Sequence, residues 1–320
     1  MRLSSKMLVL CGLGLVAAPL SGCDGEAADG ETGSDGAAST CAPAASCRAV
    51  DTECLGLVDN AGESRFGLRI SELDITRPSA LRTGLVGQVV TSDVLPFNAG
   101  CNLDGAGTFS WLLRFDLATG KLDMGGARPV ADASHGYRFV DEMVTDRHLQ
   151  PVTYDLEMDT AGNLGVQQGQ DMLVPIYLDA AASEVVILPL RSARLSTGTL
   201  SASQNCIGRY NAAGLRPDNG CFPDEVNHAF VTGAELEGLI SLEDADAVIL
   251  PSFAESLCVH LAGNRAEYAV TDAQGVLVCK RDASHAIVFQ GDACSVAGQT
   301  CTDAVATAAR FAASSVRIDD

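Results

Sequence analysis

Two sets of side chains in this 320-residue chain have the types that could do chemistry. In the first, His135 follows Ser134 and lies near Asp132, Asp141 and Glu142 in sequence. These are the types of a general base with a hydroxyl nucleophile and an orienting acid. Such triads are assembled by geometry rather than by neighbourhood, and the plainer reading is a loop histidine without a chemical role. In the second set, Glu235 and Glu237 alternate along an expected strand and share one face, and Glu243, Asp244 and Asp246 follow at a strand-to-helix turn. Hard carboxylate oxygens of this kind suit Ca²⁺, which makes Glu235, Glu237, Asp244 and Asp246 the metal candidates. The plainer reading is a solvated acidic face whose helix-terminal acids favour the macrodipole. His228 with Asp224 and Glu225 forms a smaller set. There is no Gly-x-Ser-x-Gly elbow, no His-Glu-x-x-His and no P-loop, so no catalytic residue and no cofactor is expected.

Sulfur is the other reactive element. Of 12 cysteines, ten lie in the body of the chain: Cys41, Cys47, Cys54, Cys101, Cys206, Cys221, Cys258, Cys279, Cys294 and Cys301. None forms a Cys-x-x-Cys pair of the kind that zinc sites use, and an even number in an exported chain argues for disulfides. Local spacing suggests that Cys294–Cys301 staples one loop and that Cys206–Cys221 closes a Gly/Asn/Pro-rich loop. The trio Cys41, Cys47 and Cys54 must send at least one member elsewhere, with Cys101 as a candidate partner.

The chain begins with Arg2 and Lys6, an apolar run from Met7 to Leu20, then Ser21-Gly22-Cys23. A basic start, a short apolar stretch and small residues at the end make a secretory signal, too short to span a bilayer that needs roughly 20 residues. Leu20-Ser21-Gly22-Cys23 resembles the lipobox of bacterial lipoproteins. That resemblance implies that the Cys23 thiol carries diacylglycerol, that residues 1–22 are removed, and that the new amino group is acylated. Two or three acyl chains suffice for stable anchoring. In enteric bacteria an Asp after the lipidated cysteine, here Asp24, goes with the inner membrane; which membrane applies here stays open. Cys47-Arg48-Ala49-Val50-Asp51-Thr52-Glu53-Cys54 and Ala234-Glu235-Leu236-Glu237-Gly238-Leu239-Ile240 are similar to signatures of lipoproteins from high-GC Gram-negative bacteria, and imply no activity.

The net charge is −20, and loss of residues 1–22 removes two bases and no acid. Such a surface repels phosphate backbones and anionic head groups, so nucleic acid is not an expected partner and the acyl anchor must hold the membrane. Residues 24–40 carry five acids, no base and no large apolar side chain. They read as a disordered tether of roughly 23 Å root-mean-square span. The expected organisation is a signal peptide at 1–22, lipidated cysteine and tether at 23–45, and a globular domain at 46–320.

The body must position whatever site exists. Phe66, Leu68 and Ile70 alternate with polar or small residues, as do Phe109 to Leu117 and Val152 to Met158. A period of two marks half-buried strands. Leu173–Leu178 and Val185–Leu190 are denser runs suited to strands covered on both faces, with Pro175 and Pro189 placing an edge or bulge in each. Four Asp-to-Gly segments, at 59–62, 116–120, 159–163 and 272–275, have turn chemistry. Ser241 opens a helix, and Phe253, Leu257 and Leu261 predict a second with Cys258 on its inner side. Residues 303–318 fit helix by their alanines and strand by their end, and strand is preferred. The fold class is therefore mainly β: an antiparallel β-sandwich or jelly-roll-like domain, disulfide-stapled, with a short helical insertion near 241–262. The functional expectation is a noncatalytic, lipid-anchored envelope or surface module outside the cytoplasm that binds a ligand or a protein or glycan partner. A secreted hydrolase with a dispersed site and a structural envelope protein are the alternatives.

Overall fold

The computed structural model describes residues 50–82, 109–144, 146–165, 168–219, 222–223 and 229–320. Eleven strands form the main sheet: β1 (Arg65–Arg77), β2 (Ser110–Asp116), β3 (Lys121–Ala127), β4 (Val152–Asp155), β5 (Glu157–Met158), β6 (Asn163–Gly165), β7 (Gln170–Tyr177), β8 (Val185–Thr199), β9 (Cys206–Ile207), β10 (Ala234–Ser241) and β11 (Ala304–Ser315). Among the described residues four short α-helices accompany them: α1 (Ser79–Arg82), α2 (Leu242–Asp246), α3 (Leu257–Ala262) and α4 (Arg265–Tyr268). No helix of the described residues is long and apolar enough to cross a membrane.

The strand order is β4-β3-β2-β1-β11-β10-β8-β6-β5, with β7 on β8 and β9 on β11, and the pairings within this sheet are antiparallel. The sheet curls until β7 packs against β3 and β4. Gln170 Nε2 donates to the Thr153 carbonyl at 2.5 Å, and Tyr154 Oη donates to the Ala193 carbonyl at 3.0 Å. Gly126 permits this closure, because a Cβ there would come within 2.4 Å of Pro175 Cγ. The mainly β, antiparallel, disulfide-stapled expectation holds, and the layers arise from one sheet curled so that its ends meet.

Two bulges keep apolar side chains pointing inward along the longest strands. In β1 the register slips between Ile70 and Glu72, so the inward series Phe66, Leu68, Ile70 continues as Leu73 and Ile75. In β8 it slips between Arg191 and Arg194, with Ser192 at a left-handed φ of 49°, and Leu188 and Leu190 are followed inward by Ala193 and Leu195. The run 304–315 is strand: Val305, Phe311 and Ala313 enter the main core from the sheet's centre. The dense runs at 173–178 and 185–190 form the β7–β8 hairpin. One face joins the main core, and the other packs Leu173, Tyr177, Val185 and Ile187 on Val140 and Leu149. Pro175 and Pro189 fall where only the hairpin partner is paired, which spares a ladder donor.

All four Asp-to-Gly turns form, with Asp59, Asp116, Asp159 and Asp272 each accepting a backbone N–H and Gly62, Gly120, Gly162 and Gly275 at positive φ. The helical insertion is present but shorter than its pattern. Ser241 caps α2, which ends at Asp246, and Ile249 is exposed on a two-residue strand beyond it. Phe253 lies in a 3₁₀ turn rather than in α3, which Ser256 caps and Gly263 ends.

The sulfur pattern needs one correction. Cys294–Cys301 staples its loop as expected, and Cys258 of α3 joins Cys279. Cys206 bonds Cys54 rather than Cys221, and Cys54 is therefore not the partner of Cys101. The reason is long-range: Cys206 pairs with Ser314 in the sheet, and Ser314 Oγ donates to the Cys54 carbonyl at 2.5 Å, which brings the two cysteines together at the end of β11. Cys23, Cys41, Cys47, Cys101 and Cys221 lie outside the described residues.

Candidate functional site

The inward side chains of the curled sheet fill it at one end and leave a cavity of about 200 Å³ at the other. β1 contributes Ile70, Leu73 and Ile75, and β11 contributes Thr307 and Ala309. Trp111 and the adjoining Phe109 stand on the β2 side, with Val174 and Ile176 of β7 beyond them. Val186 and Leu188 of β8 and Leu236 and Ile240 of β10 complete the wall, while Leu81, Val248, Leu250, Phe253 and Leu257 lie across it. The wall is almost wholly apolar, with Arg77, Glu237, Ser252 and Thr307 as its polar members.

The cavity exists because β11, the central strand, carries small residues here. Ala309 stands between Ile75 and Leu236, its register partners on the two neighbouring strands. Leu73, Ile75, Ile176, Val186, Leu188, Leu236 and Leu250 are consequently only half-buried. Apolar concavity with incompletely covered side chains is the usual form of a small-molecule site. Trp111 is buried, and its indole N–H finds no acceptor among the described residues. Arg77 and Glu237 border the cavity but are both register partners of Ala308, so alternation places them on the opposite face from Ala309. Glu237 there meets Arg194 at 3.0 Å and Arg77 at 3.6 Å.

Of the residues singled out in the sequence, Glu237 borders the cavity; the others lie elsewhere, and the set does not converge. His135 is in an exposed 3₁₀ turn, 3.8 Å from Asp132, while the Ser134 backbone N–H donates to Asp132. Asp141 instead meets His148 at 2.7 Å, and Glu142 meets Arg128 at 2.6 Å. Among the acids, Glu235 is opposite Arg310 and Thr197, and Glu237 is held by arginines. Asp244 takes Arg191 Nε at 2.7 Å and Ser241 Oγ at 2.6 Å. Asp246 accepts from Ser256 Oγ, the Cys279 N–H and Arg281. Among the described residues, the clusters whose ligand atoms converge include only Asp246 of these four, and its companions Cys258 and Cys279 are disulfide-bonded. Asp224, Glu225 and His228 lie outside the described residues.

A second, polar depression lies over α3, bounded by Glu255, His260, Asn264 and Arg265. Glu255 is fully buried there. His260 Nδ1 lies 3.1 Å from its Oε1, and Arg265 Nε lies 2.6 Å from its Oε2, close but not aligned as a hydrogen bond. His260 Nε2 faces the Ala80 carbonyl of α1 at 3.2 Å. Both ring nitrogens are thus occupied, and the group acts as a clasp between α1 and α3.

Sequence reasoning did not find the cavity. Its residues read as ordinary strand interiors, and the signal that marks it is the run of small side chains at Thr307, Ala308 and Ala309 within an otherwise core-forming strand. No protein-family model, curated protein or solved structure matches this chain.

Proposed function

We propose that this chain is an exported, lipid-anchored binding protein without catalytic activity, and that its ligand is an apolar molecule held in the cavity between β1, β2, β7, β8, β10 and β11. The observation that carries the reading is the cavity itself: about 200 Å³ of apolar space bounded by half-buried leucine, isoleucine and valine side chains. Leaving such surface exposed costs roughly 25 cal/mol per Å², which a ligand recovers. The export half of the reading draws support from the three disulfides among the described residues, a kind of link that belongs to oxidising compartments, and from the resemblance of Leu20–Cys23 to a lipobox. The anchor leaves the body free to present its cavity, since attachment then needs no surface of the fold.

Trp111 is the single tryptophan of the chain and lines the cavity, so its emission reports occupancy directly. The test is a titration of the purified protein with the neutral dye N-phenyl-1-naphthylamine, whose six-carbon phenyl ring enters the cavity while the naphthyl group stays at the mouth. Saturable dye enhancement together with a change in Trp111 emission is the expected result; no enhancement at any concentration below the dye's solubility refutes a ligand cavity. The mass of the mature N-terminus tests the anchor separately, with acylated Cys23 expected.

A further inference from the structure

If the cavity holds a ligand, as proposed above, its wall also narrows what that ligand is. The wall offers no free counter-charge: its two ionic members, Arg77 and Glu237, stand at the border and meet each other at 3.6 Å, and Glu237 also meets Arg194 at 3.0 Å. Burial of an unpaired charge in such surroundings is strongly unfavourable, so the buried part of the ligand is uncharged. The net charge of −20 adds long-range repulsion against any anionic head group that would sit at the mouth. Size sets the third limit. An apolar cavity of about 150 Å³ admits benzene with its six carbons, and in proportion 200 Å³ admits about eight.

We infer that the ligand is an uncharged amphiphile with a single alkyl chain, a fatty alcohol or a monoacyl ester. It buries about eight carbons between Ile75, Leu188, Leu236 and Trp111 and leaves its head at the mouth. Selection is by chain length and against negative charge, because the wall has nothing with which to read a head group. Each buried methylene then tightens binding about fourfold until the cavity is full.

The experiment is a titration of the purified full-length mature protein with 1-alkanols of six to twelve carbons and with the carboxylates of equal length, read by Trp111 emission and by calorimetry. The expected result is a rise of about fourfold per methylene for the alcohols up to about eight carbons, then a plateau, with each carboxylate at least tenfold weaker. Leu188→Ala enlarges the cavity and moves the plateau to longer chains by one or two carbons; Val186→Ala serves if the first variant does not fold. Carboxylates that bind as tightly as alcohols overturn the inference, and so does a rise that continues to twelve carbons without a break. Self-association that shields Trp111 in the unliganded protein overturns it as well, because the cavity is then an interface between copies. Binding of the dye without binding of any alkanol defeats this inference alone, whereas failure of both defeats the ligand cavity itself.

Discussion

Ala309 is the register partner of Ile75, and the methyl group it contributes leaves open the space that a larger residue at the centre of the sheet would fill. Ala309→Phe puts a ring into that space. Well-placed cavity filling commonly adds 0.5–2 kcal/mol of stability, while overpacking costs roughly 1–3 kcal/mol. The half-open site favours the first outcome. The expected result is dye binding weakened more than tenfold with a thermal midpoint equal to or above that of the parent. A variant that unfolds early, or one that binds dye as before, shows that the cavity does not end at Ala309.

The disulfides differ in what they constrain. Cys54 and Cys206 are 152 residues apart in sequence, whereas Cys294 and Cys301 are seven apart. Loop-closure entropy assigns about 5 kcal/mol to the first and about 2 kcal/mol to the second. Replacing Cys54 and Cys206 by Ala should therefore lower the urea midpoint more than replacing Cys294 and Cys301. The opposite ranking would show that the 54–206 link is formed on an end of the sheet already held by other contacts, such as the Ser314–Cys54 hydrogen bond.

Where a signal is local, the sequence reports it faithfully. The alternation at Phe66–Ile70 and at Phe109–Leu117 names real strands, and each Asp-to-Gly segment is a turn, because the Asp acceptor and the Gly dihedral act within five residues. The turn at 282–285 escapes this reading, since His285 rather than Gly holds the positive φ. Non-local features are not legible. The bulges at 70–72 and 191–194 depend on the partner strand, the Cys54–Cys206 link depends on β9 pairing with β11, and the Arg191–Asp244 pair spans 53 positions. The cavity is the extreme case: it is a space left by six strands, and its one local trace is the run of small side chains at 307–309 in β11.

Asp244 links the start of α2 to β8, and its ionisation should be visible in stability. Burial alone would push its carboxyl up, but hydrogen bonds from Arg191 and Ser241 outweigh that and hold it below the ordinary 3.8. A depressed native value means that the contribution is fully present above about pH 4 and is lost as the pH falls through the native value below 3.8. Asp244→Asn should cost about 1 kcal/mol at pH 7, a modest figure because Arg191 is 41% exposed and solvent screens the pair. Urea denaturation of parent and variant should differ at pH 7, and the difference should shrink as the pH falls below 3.8. A constant difference across that range would place the effect in packing rather than in charge.

The clasp at Glu255 makes a different demand. Its carboxylate is wholly buried, with His260 on one oxygen and Arg265 on the other, and His260 reaches onward to Ala80. Removing one partner of a buried ionic group strands the others. Glu255→Ala should cost about 3 kcal/mol, below the upper range for a fully buried pair because Arg265 is 58% exposed. His260→Ala removes the link to α1 but leaves Arg265 beside Glu255, so it should cost less. Because Leu81 of α1 lies against the cavity, the His260 variant should also weaken dye binding, while Arg265→Gln, which does not touch α1, should leave it unchanged. Chemical denaturation ranks the stabilities, and the dye titration separates the two variants. Equal dye affinity in both would show that the clasp fastens α3 alone and has no hold on the cavity.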